Sequence, residues 1–216
     1  MKKLVIFDLD GTLFDTTPAM QACGNFALEN LGLPTFSRED YAFFSGGGIE
    51  EYVFGILDAA GDRDHKHAER FWKLYLERQE SLSDSANRPY DGIPELLSKL
   101  KEKGIRLAVL SNKDHATCVQ IVEETFGKGV FDGIRGDMGT IPVKPDPAGV
   151  FALLEDVGCE IGACLYVGDT QVDLLTGKNA GMDTAAALWG YRKKEQLEEY
   201  HPQFMLSHPL EILDLI

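Results

Sequence analysis

The sequence predicts an α/β protein: a doubly wound parallel sheet, Rossmann-like, with a small helical domain inserted after its first strand. Three observations point there. Short, fully apolar runs alternate with amphipathic helical stretches, the pattern of βαβ units. The main runs end on Asp, Ser or Gly-Asp. Between the first run and the resumption of the alternation lies a stretch, residues 15–88, that is helical and charged and poor in β-branched residues.

Lys3-Leu-Val-Ile-Phe7 is an apolar run closed by Asp8 and reads as a buried strand. Met20–Leu31 has helical spacing and stops at Gly32. Gly46-Gly47-Gly48 interrupts the charged block, and Ile49–Ala60 and His65–Leu82 read as two further helices. Arg88–Pro94 is a turn, followed by a helix over Glu95–Lys103 that Gly104 ends. Arg106–Leu110 is a second buried strand, then come a helix over Asp114–Phe126 and a weaker extended piece at Gly133–Gly136. Pro147–Val157 is helical. Ala163–Val167 is a strand ending at Gly168-Asp169, and a helix runs over Val172–Ala180. Thr184–Leu188 and Phe204–Leu206 are strands, and Leu210–Leu215 is a closing helix. The domains are therefore residues 1–14 with 89–216, the α/β core, and residues 15–88, the helical insert.

Composition narrows the function classes. The 216 residues carry 21 Lys+Arg against 35 Asp+Glu, a net charge of -14. Such a surface does not suit nucleic acid or anionic membrane, whose phosphates are held by Lys and Arg. No apolar run approaches the roughly 20 residues of a membrane helix, and the apolar start is too short for a secretory signal. The four cysteines form no C-x-x-C pair. Reduced thiols in a cytoplasmic protein are expected.

The chemistry sits where the predicted strands end. Asp8-Leu9-Asp10-Gly11-Thr12 follows the first strand, Ser111-Asn112-Lys113 the second, and Gly168-Asp169-Thr170-Gln171-Val172-Asp173 a third, while Lys144-Pro145-Asp146-Pro147 opens a helix. In an open parallel sheet the ligand crevice lies outside the carboxyl ends of the strands. Placement thus brings Asp8, Asp10, Ser111, Asp169 and Asp173 towards one crevice. Four carboxylates without His or Cys make a hard oxygen site, suited to Mg²⁺ and ill suited to zinc. Their mutual repulsion calls for a divalent cation. Ser111 and Lys144 add a hydroxyl and a point charge that suit phosphate oxygens. Metal, carboxylate nucleophile and phosphate clamp together indicate phosphoryl transfer through an aspartyl phosphate.

These four segments, in this order and spacing, resemble the haloacid dehalogenase superfamily of hydrolases, and within it the phosphoglycolate phosphatase-like group. Pro89–Lys113, Lys144-Pro145-x-Pro147 and Leu188-Trp189-Gly190-Tyr191-Arg192 carry the second likeness. The insert resembles that group's small helical cap. The resemblance implies that Asp8 attacks phosphorus, and that Asp10 protonates the leaving oxygen and then activates water. It implies Mg²⁺ on Asp8, Asp169 and the Asp10 carbonyl, with Asp173 bound directly or through water. Thr12, Ser111, Asn112 and Lys144 are the expected phosphate contacts. The expected substrate is a small phosphorylated metabolite and the expected state a monomer or weak homodimer.

Several residues carry plainer readings. Asp173 in a first helical turn favours the helix dipole, and Thr12 and Asp15 suit turns or caps. Asp146 reads as a turn residue. His65-x-His67 does not share a helix face and reads as solvated surface; Phe43, Phe44 and Trp72 read as cap core. Gly46-Gly47-Gly48 lacks a Gly-Lys-Ser/Thr ending, so it is no nucleotide-phosphate loop. It is either a linker or, with Ser45, a loop over the site that selects the substrate. A carboxylated substrate wants a cation, and Phe43–Ile49 has none. That leaves backbone donors at Gly46–Gly48 or a reaching side chain such as Arg38. Two other functions use the same residues: a phosphosugar mutase, and a non-enzymatic phosphoacceptor signalling domain, which the water-activating Asp10 disfavours.

Overall fold

The computed structural model describes residues 1–82 and 88–216; residues 83–87, within the expected insert, lie outside the described residues. Six parallel strands form the main sheet: β1 (Leu4–Phe7), β4 (Arg106–Asp114), β5 (Gly133–Asp137), β6 (Cys164–Gly168), β7 (Asp183–Ala187) and β8 (Phe204–Leu206). They lie in the order β5-β4-β1-β6-β7-β8. The chain builds outward from β1 through β4 to β5, then returns to β6 on the other side of β1. That reversal puts a topological switch point at the carboxyl ends of β1 and β6, where a crevice forms. Phe7 pairs with Val109 on one side and Val167 on the other, so Asp8 and Asp169 emerge from neighbouring strands.

The period-two alternation of a strand sorts β1 onto two faces. Val5 and Phe7 join Leu107, Val109, Leu165 and Val167 in a core covered by α5 (Ile93–Glu102) and α6 (His115–Phe126). Leu4 and Ile6 join Ala108, Leu110 and Tyr166 on the other face, under α7 (Ala148–Val157) and the end of α8 (Gln171–Ala180). Every residue of β1 is fully buried. Burying each such side chain stabilises by roughly 1.5–3 kcal/mol, which fixes the rigid edge from which Asp8 projects.

Between β1 and β4 the chain forms α1 (Thr17–Leu31), α2 (Arg38–Phe44), α3 (Ile49–Ala59) and α4 (Ala68–Glu80). They share their own core, which includes Cys23, Leu28, Tyr41, Ile56, Leu57 and Phe71. Gly24 on α1 gives Tyr41 its seat, because a Cβ there would collide with the phenol ring. A two-stranded antiparallel ribbon, β2 (Phe14–Asp15) with β3 (Arg88–Pro89), pairs the outgoing and returning chain. All four cysteines are free thiols.

Four expectations need correction. The helix expected from His65 begins at Ala68, since His65 takes a positive φ of 51° and its ring stacks on Phe54. The strand expected to stop at Leu110 continues to Asp114 with an irregular register, carrying Ser111–Lys113 in extended chain. Arg88–Pro89, read as turn, is the β3 strand. The closing segment Pro209–Leu215 is a 3₁₀ helix. One more short helix, α9 (Lys194–Glu198), follows β7.

Candidate active site

Asp8, Asp169 and Asp173 meet at the switch point, each offering an oxygen within 4.8 Å of the others. Asp8 leaves β1 with its N–H donating to the Val167 carbonyl at 2.9 Å. Asp169 follows β6, and Asp173 lies in the first turn of α8. Lys144 Nζ donates to Asp8 Oδ1 and Asp173 Oδ1, both at 2.7 Å. Asp173 Oδ2 accepts from the Thr170 N–H and hydroxyl, capping α8, while Oδ1 accepts from the lysine. Asp169 is fixed as firmly, accepting from the Thr12 hydroxyl and the Tyr191 N–H, each at 2.8 Å.

Three glycines make room for these carboxylates. A Cβ on Gly11 would enter the Asp169 carboxyl, and one on Gly168 would enter Asp173. A Cβ on Gly190 would press on Asp169 and on the Gly11 carbonyl together. Gly11 also has φ +88°, the left-handed region glycine favours.

The second group lies towards β4. Asp10 accepts from Lys113 Nζ through both oxygens, at 3.1 and 2.8 Å. The Asn112 amide donates to the Lys144 carbonyl at 3.0 Å and accepts from the Lys144 N–H at 2.8 Å, tying that loop to β4. Ser111 is buried beside them, its hydroxyl accepting from the Lys113 N–H.

A cavity of about 390 Å³ opens over this floor. Asp8, Asp10, Ser111, Asn112, Lys113 and Lys144 line one side. Ser45, Gly46, Gly47, Gly48 and Ile49 line the other, with Tyr52 of α3 and Trp72, Tyr75 and Gln79 of α4. Ser45–Gly48 line the same cavity as Asp8 and Asp10. Trp72 belongs to this wall as well as to the edge of the helical core. Phe43 is solvent-exposed, contrary to the core expectation.

Other expected contacts stand elsewhere. Thr12, expected on phosphate, is fully buried and spends its hydroxyl on Asp169. Arg38 does not reach in; it pairs with Asp15 and donates to the Thr17 hydroxyl. His65 and His67 bind separate carboxylates, Asp58 and Asp62. Asp146 accepts from the Ala148 N–H, as a turn residue does. Two residues carry more than the motif reading assigned them. Lys113 stood in a named segment without a role, because spacing does not tell which side of an extended chain faces a cavity. Arg192 is buried and donates to the carbonyls of Ala42, Phe43 and Ser45, at 2.6, 3.1 and 2.6 Å.

Burial raises the Asp8 pKa well above the usual carboxylate range, and Asp173 and Asp169 add to it against the pull of Lys144. Burial and Asp173 push Asp169 up to about 7. Burial alone would lower Lys144; Asp173 and Asp8 outweigh it and hold the ammonium well above its ordinary value. Three crowded carboxylates against one lysine leave excess negative charge in a dry site. A hard divalent cation satisfies that donor set, which is all oxygen, and Mg²⁺ fits it.

The sequence pattern of the family described as haloacid dehalogenase-like hydrolase matches residues 5–187. A phosphoglycolate phosphatase of Aquifex aeolicus is 36% identical over 214 residues, covering 99% of this chain and 96% of that protein. One from Cereibacter sphaeroides is 34% identical, covering 98% and 96%. The crystal structure of a predicted phosphoglycolate phosphatase from Haemophilus somnus superposes with a TM-score of 0.90 at 25% identity, covering 99% of this chain and 97% of that one.

Proposed function

The chain belongs to the haloacid dehalogenase-like hydrolase family, and from that premise we propose that it hydrolyses a small phosphomonoester, phosphoglycolate foremost, through an aspartyl phosphate on Asp8. One observation carries the reading: Asp8 lines a cavity together with Asp10, Ser111 and Lys144, and Asp169 and Asp173 group with it. Asp8, Asp169, Asp173 and the Asp10 carbonyl would hold Mg²⁺, which would supply charge neutralisation for the carboxylate and phosphoryl oxygens.

An Asp8 oxygen attacks phosphorus and the ester P–O bond breaks. Asp10 gives its proton to the leaving oxygen. Water then attacks the phosphorus of the acyl phosphate, Asp10 takes its proton, and phosphate leaves with Asp8 restored. Ser111 and Lys144 hold the phosphoryl oxygens, Lys144 also keeping Asp8 in line. Asn112 acts through Lys144, whose backbone it fixes, and Thr12 through Asp169. The helical insert, residues 15–88, serves as the cap, and Ser45–Gly48 is its contact with the leaving group. A lid of this kind excludes water during the first transfer. Asp10 makes the aspartyl phosphate transient, which suits a hydrolase rather than a lasting phosphoacceptor. The acidic balance, 35 Asp+Glu against 21 Lys+Arg, disfavours nucleic acid and anionic membrane as partners; no described helix is long and apolar enough to cross a membrane.

The test is phosphate release from a panel of small monoesters with Mg²⁺, in wild type and D8N. We expect phosphoglycolate to give the highest kcat/KM and D8N to abolish turnover, because an amide is a poor nucleophile. Wild-type rates in D8N would remove the covalent mechanism.

A further inference from the structure

Two lysines line the cavity, each with two hydrogen bonds, but they differ in exposure and in the number of carboxylates they serve. Lys144 Nζ lies 2.7 Å from both Asp8 and Asp173, and its side chain is 4% exposed. Lys113 is 22% exposed and, among the described residues, its ammonium touches only Asp10. An ammonium has three donors, so one remains for the cavity.

The surroundings suit an anion at that donor. The neighbouring Asn112 amide is engaged by the Lys144 backbone, and the Asp114 carboxylate accepts from the Thr117 N–H and hydroxyl. The facing wall of Ile49, Tyr52, Trp72 and Leu76 is largely apolar. Its polar groups include Gln79 and the Tyr52 and Tyr75 hydroxyls, with no cation among them, and where water is excluded an ion pair is strengthened. Position matters as much as charge. Asp10 is the group that the mechanism sets at the leaving oxygen, so a cation 2.8 Å from Asp10 stands beside the first atoms of the leaving group. In a two-carbon phospho-acid, the carboxylate is bonded to the ester carbon and lies within that reach.

We propose that Lys113 selects esters with a carboxylate on the ester carbon, holding that carboxylate with its free donor while its other donors keep Asp10 in place. The assignment rests on the phosphomonoesterase reading above. It supplies the cation that the Phe43–Ile49 loop lacks, from the sheet side of the cavity.

The experiment compares 2-phosphoglycolate with 2-hydroxyethyl phosphate, which lacks the carboxylate, in wild type, K113M and K113R with Mg²⁺. Wild type should prefer phosphoglycolate. Losing a charged hydrogen bond is typically worth roughly 10- to 100-fold, so K113M should lose about that factor of preference. The loss should appear as a raised KM for phosphoglycolate, while any fall in kcat from the freed Asp10 is shared by both esters. K113R should recover part of the preference. Equal losses for the two esters in K113M, with unchanged KM, would reduce Lys113 to a support for Asp10 and overturn the assignment. If K113M fails to fold, by its Tm, K113Q takes its place. A wild type that hydrolyses both esters without preference also overturns it. A wild type that hydrolyses neither overturns the phosphomonoesterase reading instead.

Discussion

Asp169 is held at the residue scale by two glycines that face it from different segments. Gly190 is the more telling, because its added Cβ would meet Asp169 and the Gly11 carbonyl at once. Both are short, anchored groups that cannot swing aside. We therefore expect G190A to displace Asp169, to raise the Mg²⁺ concentration needed for half-maximal activity at least about tenfold, and to cost about 1–3 kcal/mol by overpacking. Gly162, with open space around it, is the control: G162A should change neither. A Mg²⁺ titration of activity and a thermal melt check both. At this scale the motifs were largely legible, because Asp8, Asp10, Ser111, Lys144, Asp169 and Asp173 are named by short spacings beside apolar runs. What spacing hides is the partner. Thr12 lies two residues from Asp10, yet its hydroxyl goes to Asp169, far along the chain. Lys113 became a site residue only when the irregular end of β4 turned it towards Asp10.

Arg192 joins two parts of the fold at the scale of elements. It follows Tyr191, whose N–H holds Asp169, and its guanidinium donates to the carbonyls that end α2 and begin the Ser45–Gly48 loop. A cation at a helix C-terminus also complements the dipole. Burial pulls the Arg192 pKa down, with Asp169 and Asp173 opposing; among the described residues no carboxylate lies within ion-pair distance of it. The side chain is thus spent on positioning the loop. Each hydrogen bond to a charged group contributes about 1.5–3 kcal/mol. R192M should leave the sheet folded, raise KM roughly tenfold or more, and lower kcat less, with R192K recovering part. A fall in kcat at constant KM would place the effect at the carboxylates instead of the loop. The α2 helix that Arg192 caps is only weakly marked in the sequence. Its seven residues barely complete two turns, and its start is a Ser37–Asp40 capping box inside a charged run. The two-residue strands β2 and β3 span a single pleat repeat, too short to show an alternation, so only their pairing defines them.

Across the whole molecule, the alternation of apolar runs and helices announces a doubly wound sheet, but not the order of its strands. That order rests on pairings such as Phe7 with Val109 and Val167, between segments far apart in sequence. It is this order that gathers the acidic residues and sets the cost of gathering them. Without a cation, Asp169 in the folded protein holds its proton up to about pH 7, while an unfolded aspartate releases it near 3.8. The folded state therefore binds the proton more tightly. The sign follows: the stability from protonated Asp169 is fully present below pH 3.8 and is lost as pH rises through about 7. Asp8 shifts in the same direction and adds to the loss. A cation held by these ionised carboxylates in the native state, and not by the unfolded chain, would restore stability where the proton has left. We expect the Tm of the metal-free protein to fall between pH 5 and pH 8. Saturating Mg²⁺ should raise Tm by several degrees at pH 8 and by much less at pH 5, where protons compete for the same oxygens. Thermal melts with Mg²⁺ and with chelator at both pH values decide it. An equal Mg²⁺ increment at the two would mean that the cation binds elsewhere, on the acidic surface, and that the switch-point carboxylates are not its site.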